Sequence, residues 1–385
     1  MGRVKILRDF IGIIKDKASQ SKAALISNPK TLFLHLALLR STTHDPFTPP
    51  NPRHLAALLS FGHSSRATAS TAVEALMDRL QTTRDAAVAI KCLIAVHHII
   101  KRGSFILQDQ LSVYPSTGGR NYLKLSNFRD DTTPLTWELS SWVRWYALYL
   151  EHLLSTSRIL GFFLCSTSSS VDKDKEEGKA SSLINSELLK EINSLGNLIV
   201  QIARASGSLN SNGNILVDEV LGLVGEDYLS SINEISIRVS EFRERHGCLS
   251  FVDSVELACA LKRLEDYCES VGFLNSNGNI LVDEVLGWWV RTICHRSTRF
   301  QFGWIVNNFP EKKVMIETVW GLISELKDQI GNSEVYKEDK GRLLITGRRN
   351  KVSESARFGE RVVMKRGSDS VKFSGRFPSF DEFSF

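Results

Sequence analysis

Arg40, Arg53 and His54 are of the types, and at the spacing, that bind an anion. Arg40 closes one apolar helical pattern, and Arg53 and His54 open the next, across the intervening run STTHDPFTPPNP. Pro46, Pro49 and Pro50 bar regular helix and push the residues before them to extended geometry, so this run is a loop. Asn51 as N-cap and Pro52 at the first helical position then restart a helix. Its first turn offers free N–H groups and the positive end of the dipole, which disfavours cations unless an anion lies in front. Arg53 and His54 in that turn therefore point to an anion, with Arg40 approaching from across the loop. Phosphate is the natural candidate. An ordinary loop with two exposed basic residues accounts for the same local sequence, so the rest of the chain has to decide.

The 385 residues are 42% hydrophobic and 24% charged, enough for a substantial core in one large or two ordinary domains. The net charge of +5 is unevenly spread. Residues 1–102 hold 15 Lys/Arg against 6 Asp/Glu, and the last 45 hold 10 against 5, which leaves the middle at −9. A basic N-terminal part implies an anionic partner there. Lys15, Lys17, Lys22 and Lys30 add support, each attracting an anionic leaflet by about 1 kcal/mol when near it; a solvated helix face explains each of them equally well. No run is long and apolar enough for a membrane span, and the start lacks the apolar core of a secretory signal. Cys92, Cys165, Cys248, Cys259, Cys268 and Cys294 fall inside helical patterns without metal-ligand spacing and read as buried thiols of a reducing cytosol. No cofactor motif is present.

The elements that must position the candidate site are helices. Val4, Leu7, Phe10, Ile11 and Ile14 form one stripe, which predicts an amphipathic opening helix packed on its neighbour. Short helices follow through 32–39 and from Pro52 to about Phe61, then another from about Ala67 to Leu80. Residues 84–102 (RDAAVAIKCLIAVHHIIKR) are apolar on nearly all sides and predict a central buried helix, with His97 and His98 as core histidines. Leu135, Leu139, Trp142, Val143, Tyr146 and Leu150 give a long aromatic-rich helix.

IKCLIAVHHIIKRG, YLKLSNFRD and WVRWYALYLEHLL, in this order and spacing, resemble the successive signatures of the ANTH/ENTH-domain clathrin assembly family (CALM-like) over about residues 4–160. LVGEDYLSSINEISIRVSEFRER and LACALKRLEDY are similar to later helices of its plant-type, short-tailed branch. The resemblance implies an all-α superhelical stack of antiparallel helix pairs that binds phosphatidylinositol 4,5-bisphosphate and works in endocytosis and vesicle budding. It implies a cytoplasmic protein, peripheral on coated pits and vesicles of the plasma membrane or Golgi, with clathrin, clathrin-adaptor appendages and a vesicle SNARE helix as partners. In the family a Lys, a spacer and then Lys-x-Lys-His hold the headgroup. Here Arg40, Arg53 and His54 fill the first, third and last positions, Asn51 stands in the second, and the spacer is one residue longer. The missing lysine removes one charge-assisted contact, about 1.5–3 kcal/mol if fully made, while arginine offsets part of this by bidentate bonding.

The organisation expected is a lipid-binding helical half at 1–165, a flexible loop at 166–180 (STSSSVDKDKEEGKA), a second helical half at 181–335 and a disordered tail at 336–385. LNSNGNILVDEVLG occurs twice without change, at 209–222 and 274–287. From Ser208 it mimics the spacing of a calcium loop, but Ser208 or Phe273 at the first position leaves Glu219 or Glu284 as the single anionic ligand, so a polar turn opening a helix is the better reading. In the tail, Phe377, Phe380 and Phe383 flank Asp381 and Glu382, a pattern resembling adaptor-appendage ligands. No phosphate-binding glycine loop, HExxH or GxSxG is present, so a non-enzyme is expected. Nucleic acid is not expected either, because the basic residues lack interleaved aromatics. The alternative to a membrane adaptor is a cytosolic helical peptide-binding scaffold with weakened or absent lipid binding.

Overall fold

The apolar run at 86–102 becomes the helix around which its neighbours pack. In a computed structural model that describes residues 2–63, 65–115, 122–164, 173–208, 213–270 and 309–332, every residue from Ala86 to Lys101 is buried. The described residues are all-α: no strand occurs among them. They lie in one compact unit, Met1–Tyr336.

In order the helices are α1 (Gly2–Ile26), α2 (Pro29–Ser41), α3 (Pro52–Leu59), α4 (Arg66–Thr82), α5 (Ala86–Arg102), α6 (Phe105–Ser112), α7 (Pro134–Leu160), α8 (Lys173–Ser182), α9 (Asn185–Ser208), α10 (Ile215–Arg245), α11 (Phe251–Ser270) and α12 (Phe309–Asn332). They stack as a superhelix of antiparallel pairs. α1 lies on α2, α2 on α3, α5 on α4 and α7, α9 on α7, α10 and α11, and α12 on α10 and α11. A single hydrophobic core runs from Leu34 through α5 and α7 to Ile330.

Local chemistry sets the boundaries. Asn51 accepts from the Arg53 N–H with Pro52 at the first position of α3, as the sequence predicts. Ser65 and Thr133 close capping boxes on α4 and α7. α7 ends at Gly161, whose φ of +76° is the left-handed conformation that glycine adopts without strain. Gly213, at φ +70°, precedes Asn214, the N-cap of α10. From Asn214 on, the first copy of the duplicated segment opens a helix, with Leu216, Val217, Val220 and Leu221 in the core. The second copy, at 274–287, lies outside the described residues, as does the tail.

Of the cysteines expected to be buried, Cys92 is, but Cys248 and Cys259 are exposed. Two further sequence expectations are corrected. Residues 173–180, placed within the flexible loop at 166–180, belong to the helix Lys173–Ser182. Lys and Glu favour helix, and Lys179 Nζ anchors this segment by donating to the Leu160 carbonyl (2.6 Å) and lying 4.9 Å from the Phe162 ring centroid. Arg245 holds the α8 end through the carbonyls of Ser181 (2.7 Å) and Leu183 (2.6 Å). The second correction concerns α1. Phe10, Ile11 and Ile14 do not pack on a neighbour; they are 59%, 44% and 64% exposed. The inward positions are Gly12, Asp16, Ser19, Gln20 and Ala23, with Ser27 just past the helix end, a mostly small and polar face that lets α2 and the following loop come close.

Candidate functional site: the loop between α2 and α3

Packing of α2 on α3 brings the last turn of one helix and the first turn of the other to the ends of a loop at 42–51. Arg40 stands in the last turn of α2, and Arg53 and His54 in the first turn of α3. Arg40 and Arg53 are exposed and His54 is half-buried. Neither guanidinium has an ion-pair partner among the described residues. His54 Nδ1 is buried and has no hydrogen-bond partner there. Asn51 accepts the Arg53 N–H at 2.9 Å, so one N–H of the helix start is already satisfied by a side chain where the family has a lysine. The corner therefore holds two free positive charges and one unpaired imidazole nitrogen, a set that suits a multiply charged oxyanion.

The loop is not held by these residues. Arg79 of α4 grips Thr42, its Nε donating to the hydroxyl (2.5 Å) and its Nη2 to the carbonyl (2.7 Å). Lys91 of α5 donates to the Thr43 hydroxyl (2.8 Å) and the Asp45 carbonyl (2.7 Å). His44 pairs with Asp16 of α1, Nδ1 to Oδ1 at 2.6 Å and the backbone N–H to Oδ2 at 3.2 Å. Gly12, one turn before Asp16, leaves room: a Cβ there would meet the His44 Cβ at 3.3 Å. From far along the chain, Asn214 Nδ2 donates to the Pro46 carbonyl at 3.1 Å. Four elements thus fix the backbone between Arg40 and Arg53.

Lys91 is the unusual member. Its side chain is fully buried, and burial, the largest influence, lowers its amine from the usual range to about 8, against the pull of Asp45, Asp16 and Asp85. It still carries its proton at neutral pH, and its charge serves two loop acceptors.

Lys22, Lys15 and Lys17 lie on exposed positions of α1; the side chain of Lys30 lies outside the described residues. Phe377, Phe380, Asp381 and Phe383 are likewise outside them. No cluster of His, Cys, Asp and Glu fit for a metal occurs among the described residues. Glu219, the last ligand of the calcium-like spacing, is in α10 with its carboxylate 3.7 Å from His98 Nε2. No helix among the described residues is long and apolar enough to cross a membrane.

A second polar constellation is structural. Asp227 of α10, wholly buried, accepts from Lys101 Nζ (2.9 Å) and the Tyr149 hydroxyl (2.6 Å), and its Oδ2 lies 2.7 Å from His97 Nε2. His97 Nδ1 meets the Tyr146 hydroxyl at 2.7 Å. Burial acts to raise the Asp227 carboxyl, but His97 and Lys101 charge and the hydrogen bonds from His97 and Tyr149 hold it well below the usual carboxylate range. This group clamps α5, α7 and α10 together, and it meets the surface only through Lys101, whose Nζ also lies 2.8 Å from the half-exposed Glu226 carboxylate; its buried members are all engaged with one another, so it reads as structural.

Arg79, Lys91, Asp16 and Asn214 were not found by sequence reasoning. The one local signal was THD itself, a polar triplet before proline that needs partners if it is to be ordered.

Comparison with known proteins gives the ANTH domain as the family model that matches, over residues 34–235. Three relatives from Arabidopsis thaliana each bear the name "putative clathrin assembly protein". One is 52% identical over 390 residues, covering the whole of this chain and 98% of its own length. Another is 36% identical over 240 residues, 61% of this chain and 68% of its own. A third is 29% identical over 347 residues, 85% of this chain and all of its own.

Proposed function

The chain belongs to the ANTH-domain family, and from that premise we propose that it is a peripheral membrane adaptor which binds phosphatidylinositol 4,5-bisphosphate through Arg40, Arg53 and His54 and helps assemble clathrin coats. The observation that carries this reading is the corner itself: two guanidiniums without carboxylate partners and one unpaired imidazole nitrogen, at the two ends of a loop tied down by α1, α4, α5 and α10. Rigidity matters because a disordered loop would have to be ordered at the expense of binding energy.

The exposed face of α1 supports the same reading. Phe10 and Ile14 point away from the packed face, with Ile13 (56% exposed) beside them, Lys17 on the same face one turn further on, and Lys15 and Lys22 to one side. An amphipathic helix of this kind lies in a lipid interface, apolar side down, with its lysines near anionic headgroups. The proposed place of action is the cytoplasmic side of coated pits and vesicles. The proposed role is binding and assembly, with no catalytic step. Clathrin itself comes from the family and from the relatives' names; adaptor-appendage binding rests on the tail residues, and a SNARE helix as partner rests on the resemblance alone.

The test is co-sedimentation of the full chain with phosphatidylcholine vesicles, with and without phosphatidylinositol 4,5-bisphosphate, followed by clathrin recruitment to the pelleted vesicles. The expected result is pelleting and recruitment only with the phosphoinositide. Equal pelleting with both vesicles sinks the lipid assignment. Pelleting without recruitment sinks the clathrin part.

A further inference from the structure

α7 carries an outward stripe that its packing leaves open. Trp137, Ser141, Arg144, Leu148, His152 and Ser155 recur at steps of four, three, four, four and three, which keeps them on one helical face. Trp137 is 53% exposed and Leu148 40%. The stripe ends in a cavity of ≈ 560 Å³ lined by His152, Ser155 and Ile159 of α7, Lys190 and Asn197 of α9, and Glu256 of α11. From Trp137 to Ile159 the face is about 33 Å long at 1.5 Å per residue.

Charge at one end of this stripe is not balanced. Arg144 Nη1 and Arg129 Nη1 donate to the same acceptor, the Phe128 carbonyl, at 2.9 and 2.7 Å. Arg144 Nη2 also donates to the Ser141 hydroxyl at 2.8 Å, and Arg129 Nη1 lies 3.4 Å from the Ser126 carbonyl. Among the described residues neither guanidinium has a carboxylate partner. Burial and the Arg129 charge both lower Arg144, the signature of two cations held together without an anion. At the other end, burial is the main influence keeping His152 below its usual value, so it is neutral at pH 7 and leaves the cavity polar.

We propose that this face of α7 is a docking surface for an acidic amphipathic helix of another protein. Its carboxylates meet Arg129 and Arg144, its apolar side chains, repeating at the same spacing, meet Trp137 and Leu148, and its far end lies over the polar cavity. An aromatic and an arginine on one open face are the residues that dominate helix-in-groove interfaces, and the unneutralised pair selects for acidic partners. The surface shares no residue with the phosphoinositide corner, so either assignment can fail without the other.

The probe is a fluorescein-labelled synthetic helix of about 21 residues, three heptads, with leucine at the first and fourth heptad positions and glutamate on the flanks. A second peptide has lysine for every glutamate. Fluorescence anisotropy with the full chain should show saturable binding of the glutamate peptide and none of the lysine peptide. Arg129→Glu/Arg144→Glu should weaken it by about tenfold or more with phosphoinositide-vesicle binding unchanged, and Trp137→Ala by a similar factor with both melting temperature and vesicle binding unchanged. Trp137→Ala touches an exposed side chain and decides the matter if the arginine variant fails to fold. The proposal is overturned if wild type does not bind the glutamate peptide, if both peptides bind alike, or if Trp137→Ala binds as wild type does. It is also overturned if the arginine variant loses vesicle binding while keeping the peptide, since the surface then faces lipid.

Discussion

Replacing Lys91 by methionine separates the two things its amine does: it carries a buried charge, and it ties the loop between Arg40 and Arg53. Lowering the amine from 10.5 to about 8 corresponds to a cost of about 3 kcal/mol for keeping it protonated at pH 7, at 1.36 kcal/mol per unit. Methionine has a similar length and carries no such cost. It also gives up the hydrogen bonds to the Thr43 hydroxyl and the Asp45 carbonyl, worth about 1.5–3 kcal/mol each when charge-assisted. The two effects oppose each other, so Lys91→Met should lower global stability by about 0–3 kcal/mol, well short of the loss of both bonds alone, while the loop loses two of its ties. Binding must then restore the loop, and affinity for phosphoinositide vesicles should fall by about tenfold, equivalent to 1.4 kcal/mol. The pH dependence gives an independent check. The unfolded chain holds this proton up to 10.5 and the folded chain only to about 8. Between those values the unfolded state binds more protons, so this group makes stability rise with pH in wild type. Urea unfolding at pH 7.5 to 10, beside vesicle sedimentation at pH 7, measures both. A Lys91→Met chain that keeps wild-type vesicle affinity refutes the tether; one with the same stability slope between pH 8 and 10 refutes the buried charge.

Three further outcomes are expected. Asp227→Asn strips the buried clamp of its charge, leaving His97 facing a neutral amide and Lys101 with Glu226 as its remaining carboxylate, and should cost about 3 kcal/mol in denaturant unfolding, the lower end for breaking a buried pair. Because the Asp227 carboxyl is held low, its contribution is complete above the unfolded-state value near 3.9 and is lost as pH falls below it, so the variant should show a shallower acid dependence than wild type. Gly12→Val puts branched carbon against the His44 Cβ and should cost about 1–3 kcal/mol of stability while weakening vesicle binding, read by thermal melting and sedimentation. Phe10→Ser/Ile14→Ser removes exposed apolar surface, so melting should not change, whereas vesicle binding should fall measurably at constant phosphoinositide content.

What was legible in the sequence was local or periodic. Proline and asparagine at 50–52 announced the start of α3, and a run apolar on every side announced that α5 is buried. The stripe of α1 was seen, but periodicity shows only that a helix has two faces, not which one finds a partner. Its packed face is marked by Gly12 and small polar residues, which carry no hydrophobic signal. The candidate corner was legible in Arg40, Arg53 and His54 because cations at a helix start are unusual. Its scaffold was not. Thr42 meets Arg79 across 37 residues, Thr43 meets Lys91 across 48, and Pro46 meets Asn214 across 168. Contacts that distant leave no spacing to read. Lys91 looked like one polar position in an apolar helix, and Asp227 like one of two adjacent acids in LVGEDYLSS. The helix at 173–182 was hidden for the same reason: its composition reads as a linker, and its anchor is the carbonyl of Leu160.

The central claim is that Arg40, Arg53 and His54 act together on one phosphorylated headgroup. Isothermal titration of the full chain with inositol 1,4,5-trisphosphate tests it without membrane, clathrin or the α1 face. One site should titrate in wild type, and Arg40→Glu/Arg53→Glu, both exposed positions, should abolish it while leaving the melting temperature unchanged. Equal heats from the two chains would show that the headgroup, if bound at all, is bound elsewhere.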